Sequence, residues 1–130
     1  MTAPKLTHFI GGKEVSAATP LESLNPSNTN EVIATFPEGT AEDVNNAVEA
    51  ARKAQPGWAA ASPEVRSDIL DKAGSLILER KEVIGKLLAR EEGKTLPEAI
   101  GETARAGRIL KYFAGEALRR HGQNLESTRP

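Results

Sequence analysis

Gly93-Lys94-Thr95 is the triplet whose residue types most directly suggest chemistry, because Gly-Lys-Thr ends phosphate-binding loops. Such a loop needs four residues between an earlier glycine and the Gly-Lys pair, so that backbone amides can wrap a phosphate. The nearest upstream glycine is Gly85, with seven residues between, and it lies in a helical run rather than after a strand. The triplet therefore reads as a helix stop at Gly93 followed by a helix start at Thr95. No Gly-x-Gly-x-x-Gly occurs, so the dinucleotide fingerprint is absent. His8 and His121 stand far apart with no carboxylate cluster beside either, which argues against zinc. Glu91-Glu92 has the groups for acid–base work, but the simplest reading is a solvated helix end. With no cysteine in the chain, disulfides, thiolate metal sites and a thiol nucleophile are excluded together.

Composition narrows the function classes further. The chain has 130 residues, enough for one domain or part of a larger one. Hydrophobic residues make up 38% and aromatics 4%, low for a self-sufficient core. Two expectations follow: a small helical domain, or a piece whose apolar faces are meant for other segments. A formal net charge of −1 gives no electrostatic basis for binding nucleic acid or an anionic membrane. No stretch approaches the roughly 20 apolar residues of a membrane span, and Met1 to Thr7 lacks the apolar core of a secretory signal. We expect a cytoplasmic protein.

The elements that must position any site can be read from turn and cap chemistry. His8 to Val15 places two short β-prone runs on either side of Gly11-Gly12, a hairpin signal. Glu31 to Phe36 is a second extended segment, and Asn25-Pro26-Ser27-Asn28 before it is turn chemistry. Beyond Pro37-Glu38-Gly39 the period changes. Thr40 with Asp43 predicts a capping box, and Val44, Ala47, Val48 and Ala51 share one helical face. We expect Gln55-Pro56-Gly57 to end this helix and Trp58 to anchor it. Ser62-Pro63 starts the next helix, whose stripe is Val65, Ile69, Ala73, Leu76 and Ile77. A break near Arg80 carries no Gly or Pro and predicts a kink before a helix through Arg90. Thr95 and Pro97 open a long last helix, with Gly115 at a close helix contact. Arg119, Arg120 and His121 would complement the dipole of its last turn, with Gly122 closing it. Residues 123–130 carry no stop signal, and we expect the protein to continue.

The order of short motifs resembles the N-terminal part of the NAD(P)-dependent aldehyde dehydrogenase family over nearly the whole chain. The matching pieces are Phe9-Ile10-Gly11-Gly12-Lys13, Asn25-Pro26 with Glu31-Val32-Ile33-Ala34, and Ala47 to Ala51 with Trp58. They continue with Arg66 and Ile69-Leu70, Glu91 to Lys94 with Pro97-Glu98-Ala99, Tyr112 to Ala117, and Gly122-Gln123. The resemblance implies an α/β parent enzyme, of which residues 1–130 form the first part of the cofactor-binding domain. This segment would be mostly α-helical with a short N-terminal β-hairpin, and would lack the catalytic domain.

In that family a cysteine thiolate attacks the aldehyde, hydride passes to NAD or NADP, and a glutamate-activated water releases the acid. The resemblance therefore implies an aldehyde-oxidising, homo-oligomeric parent and an inactive segment, with no catalytic or cofactor-binding residue here. Two lesser sites carry over by position. Ser23, Leu24 and Glu91 match a monovalent cation site, although many members have aspartate where Glu91 stands. Glu102, Arg105 and Ile109 match the substrate entrance, where Arg105 would attract an anionic aldehyde such as a semialdehyde. Asn124 to Pro130 is similar to members acting on sugar-acid or semialdehyde substrates. The competing expectation is a stand-alone helical interaction module without catalysis.

Overall fold

The computed structural model describes residues 3–16 and 19–119. Two antiparallel hairpins precede four helices. Strands β1 (His8–Ile10) and β2 (Lys13–Val15) pair across a turn in which Gly11 and Gly12 take φ of 61° and 79°. The second hairpin is larger than the sequence indicated: β3 (Pro20–Asn25) pairs with β4 (Asn28–Pro37). β3 was missed because Pro20, Glu22 and Ser23 give it little β signal, and it gains its ladder from β4. The register shifts at Ser23/Leu24 and again at Leu24/Asn25, a bulge beside the turn. The N-terminal segment adds a short parallel contact to the other edge of β4. Leu6 N donates to Thr35 O at 2.7 Å, and Thr35 N donates to Pro4 O at 3.0 Å.

Helix α1 (Ala41–Ala60) begins at the expected capping box: Asp43 N donates to Thr40 Oγ1 at 3.1 Å, and Thr40 N donates to Asp43 Oδ2 at 2.9 Å. It does not end at Pro56 but runs through it. Proline removes one N–H and leaves the carbonyl four residues back unbonded. That carbonyl belongs to Arg52, on a stretch exposed throughout, where water can replace the lost bond. Trp58 is 46% exposed and does not anchor the helix as expected. α1 buries no residue and packs lightly, against β1.

Helix α2 (Pro63–Glu79) starts at Ser62, whose Oγ accepts from Val65 N at 3.3 Å. Arg80 alone separates it from α3 (Lys81–Glu92), so the expected kink is a one-residue joint. Gly93 stops α3 in the left-handed conformation, at φ 68°. Helix α4 (Leu96–Leu118) follows Thr95. The Thr95 hydroxyl donates to Glu98 Oε2 at 2.6 Å and does not cap a backbone amide. α4 ends at Arg119, whose side chain pairs with Glu116; Arg120, His121 and Gly122 lie outside the described residues.

α4 is the hub, packed against both α2 and α3. It crosses α2 at two glycines. A Cβ on Gly74 would stand 2.7 Å from the Gly107 carbonyl oxygen, and one on Gly107 would stand 3.0 Å from that of Gly74. Gly115 is no such contact, since a Cβ there meets nothing within 4 Å. The buried hydrophobic residues among those described are Ile33, Ala34, Ala99 and Ala114. Three of the four are alanines, so backbones approach closely while little side-chain volume is enclosed.

Candidate functional site

The second hairpin and the end of α3 face each other across a cavity of about 310 Å³. Ser23 from β3 and Glu91 from α3 both line it, with Pro4, Leu6, Ile33, Ala34, Phe36 and Leu87 supplying an apolar wall. Two of the three expected cation-site residues, 68 positions apart in sequence, are thus brought together. Leu24 does not line the cavity; it follows Ser23 through the bulge, and its side chain is 42% exposed. Glu91 pairs with no cation among the described residues, whereas its neighbour Glu92 pairs with Lys94. The Glu91-Glu92 pair is exposed, as a helix end should be.

A hydrogen-bonded chain that sequence reasoning missed ties the hairpin to α3. Both Nε (2.9 Å) and Nη2 (2.7 Å) of Arg90 contact Glu31 Oε1. Asn25 Nδ2 donates to Glu31 Oε2 at 2.6 Å, and Asn25 Oδ1 accepts from Ser27 N at 2.9 Å. Ser27 Oγ then donates to Gly93 O at 3.0 Å. Asn25 is 8% exposed, so its amide is the buried centre of the chain. The Asn25 hydrogen bond, followed by that from Arg90, holds the Glu31 carboxyl below its usual value of 4.5. Glu31 and Arg90 also line a second cavity, of about 450 Å³, which shares Pro4, Ile33 and Leu87 with the first. No local signal in the sequence could have matched an arginine to a glutamate 59 residues away.

Glu102, Arg105 and Ile109 fall on one exposed face of α4, away from the buried Ala99, Thr103, Gly107 and Ala114. Glu102 Oε2 accepts from Lys94 Nζ at 2.6 Å. That hydrogen bond and a second to Glu92 raise the Lys94 pKa above its usual 10.5. Arg105 forms no ion pair among the described residues. The three residues are grouped on this face, and none of them lines either cavity beside the hairpin. Both sheets are antiparallel, so the described residues form none of the parallel strand–helix units that hold a dinucleotide. Among the described residues no three His, Asp or Glu side chains converge on a metal position. No described helix is long and apolar enough to cross a membrane.

Comparison with known proteins places this geometry. Residues 13–130 match the sequence profile of the Aldehyde dehydrogenase family. The chain is 39% identical over 123 residues to an α-ketoglutaric semialdehyde dehydrogenase of Bacillus subtilis, covering 93% of this chain and 25% of that protein. The NAD-dependent aldehyde dehydrogenase of Sinorhizobium meliloti superposes with a TM-score of 0.87 at 34% identity, over 94% of this chain and 25% of that one. Lactaldehyde dehydrogenase of Escherichia coli gives a TM-score of 0.89 at 32% identity, over 99% and 27%. The chain therefore spans about a quarter of the length of the relatives it matches. On both sequence and fold, it belongs to the aldehyde dehydrogenase family and corresponds to an N-terminal segment of its members.

Proposed function

We propose that residues 1–130 are the N-terminal part of the cofactor-binding domain of an NAD(P)+-dependent aldehyde dehydrogenase, and that by themselves they are inactive. The carrying observation is the match to about a quarter of full-length enzymes by a chain that holds no cysteine. The reactive sulfur and the catalytic domain then belong to the rest of the parent. The described residues do not fit a dinucleotide, so no step is assigned to NAD or NADP here. The parent acts on a small-molecule aldehyde as a cytoplasmic homo-oligomer. We favour a semialdehyde, a class supported by the name of the Bacillus relative and by the guanidinium of Arg105, which has no ion-pair partner among the described residues. Purified residues 1–130 should give no NAD(P)H from aldehydes, and joining them to a cysteine-bearing remainder should restore turnover. Steady turnover by the 130-residue chain, after contaminating enzyme is excluded, overturns the proposal.

Within the parent the segment has two tasks. Ser23, Leu24 and Glu91 would hold a monovalent cation. Hard cations take oxygen ligands, and Ser23 and Glu91, which line one cavity, fit; Leu24 would contribute only through its backbone carbonyl. Glu91 offers a carboxylate, and the bulge takes the Ser23–Leu24 backbone out of regular ladder pairing. A bound cation would supply a fixed charge that joins the hairpin to the end of α3. Replacing K+ by a bulky organic cation should lower the melting temperature of the full enzyme; no change counts against the site. Glu102, Arg105 and Ile109 would form the mouth through which substrate enters. In the full enzyme, Arg105→Ala should lower kcat/KM for acidic aldehydes by about tenfold and spare neutral ones. An equal effect on both classes removes the role for Arg105.

A further inference from the structure

We infer that Glu31 is a positioning residue for the Ser23–Glu91 cavity, masking the Arg90 charge so that the cavity stays favourable to a cation; this rests on the cation reading above. Arg90 immediately precedes Glu91, and consecutive helical residues project about 100° apart. With Arg90 turned to Glu31, Glu91 is left on the cavity side together with Leu87, one turn earlier. The guanidinium is not remote from the cavity. It lines the adjoining space, and only Pro4, Ile33 and Leu87 form the common wall. An unpaired guanidinium there would oppose a cation beside Glu91 through that thin apolar wall. Paired with Glu31 it presents little net charge.

The fixing is specific. Arg90 Nε and Nη2 share one carboxylate oxygen of Glu31, and Asn25 Nδ2 holds the other at 2.6 Å. The carboxylate cannot turn toward the cavity without breaking both. Ser27 Oγ on Gly93 O is a second stitch between the same two elements. The hairpin and the helix end therefore stay in register even when the first stitch is altered, which separates a charge effect from loss of the fold.

The test uses the full parent enzyme, whose melting temperature is followed against KCl, with choline chloride holding the ionic strength constant and low. The K+-dependent rise in melting temperature gives the affinity. In Glu31→Gln, which leaves Arg90 unpaired, K+ should bind about fivefold to tenfold more weakly, and the deficit should shrink as choline chloride is raised. Glu31→Gln/Arg90→Gln, which removes both charges, and Arg90→Lys, which keeps the pair, should each stay within about twofold of the unsubstituted chain. Should Glu31→Gln fail to fold, these two variants carry the test, and a fivefold loss in either, with the fold intact, overturns the inference. Undiminished K+ binding in folded Glu31→Gln, or a deficit insensitive to salt, also overturns it and leaves the cation site standing. Absence of any K+-specific shift in the unsubstituted chain overturns the cation reading and this inference with it.

Discussion

Gly93 and Glu31 show what single residues contribute where the hairpin meets the helices. Gly93 is left-handed, and a Cβ there would also meet Ser27 Oγ at 3.0 Å and Pro26 Cβ at 3.1 Å. Gly93→Ala should cost about 1 to 2 kcal/mol from backbone conformation alone, read as a lower midpoint in urea, with crowding against the Asn25–Asn28 turn adding to it. Glu31 gives a pH dependence whose sign is fixed. Its pKa is depressed in the folded chain by Asn25 first and Arg90 second, so the folded state prefers the carboxylate. That contribution is complete above the ordinary value of 4.5 and is lost as pH falls through the lower folded value. Melts of the unsubstituted chain and Glu31→Gln should differ at neutral pH and converge on acidification below about pH 4.5. A gap that persists at acid pH means that Glu31 acts through packing and not through its charge. Gly93 was legible in the sequence because a helix stop is local chemistry. Glu31, Asn25 and Arg90 were not, because their partners are set by the docking of a hairpin on a helix, which no spacing encodes.

The boundaries of the helices, more than their packing, were written in the sequence. Thr40 with Asp43, Ser62 with Pro63 and the stop at Gly93 stand where cap and turn chemistry placed them, and the joint at Arg80 falls at the expected break in the helical run. The failures have physical causes at the same scale. Pro56 was read as a terminator, yet an exposed helix lets water take over the carbonyl it frees. β3 has weak local preference and depends on β4. Gly115, the expected helix contact, faces open space, whereas Gly74 and Gly107 are the residues that let α2 and α4 approach. Composition alone cannot say which of several glycines faces a neighbour. Gly74→Ala or Gly107→Ala must push the helices apart or shift their backbones, at a cost of about 1 to 3 kcal/mol each. Both substitutions strain one crossing, so the double variant should lose less than the sum of the singles, since separation forced by the first relieves the second. Strict additivity in urea melts would place the strain at two independent contacts.

At the scale of the whole molecule, surface is the dominant fact. Large apolar side chains are exposed on every helix: Val44, Val48 and Trp58 on α1, Val65, Ile69 and Leu76 on α2, Val83 and Leu87 on α3, and Ile109, Tyr112 and Phe113 on α4. Against these stands a core of small residues, which cannot offset the conformational entropy of ordering a chain of this length by a wide margin. The low hydrophobic and aromatic content already pointed this way. The amphipathic stripes are real, but most face outward. The 130-residue chain should therefore self-associate or melt with little cooperativity. Light scattering across a concentration series, with calorimetry on the same samples, decides the matter. A mass above that of a monomer, or a broad low-enthalpy transition, is expected. A monomer at all concentrations with a sharp two-state melt requires that α1 and the outer faces of α2 and α4 close on one another in solution, and the chain would then be a self-sufficient domain.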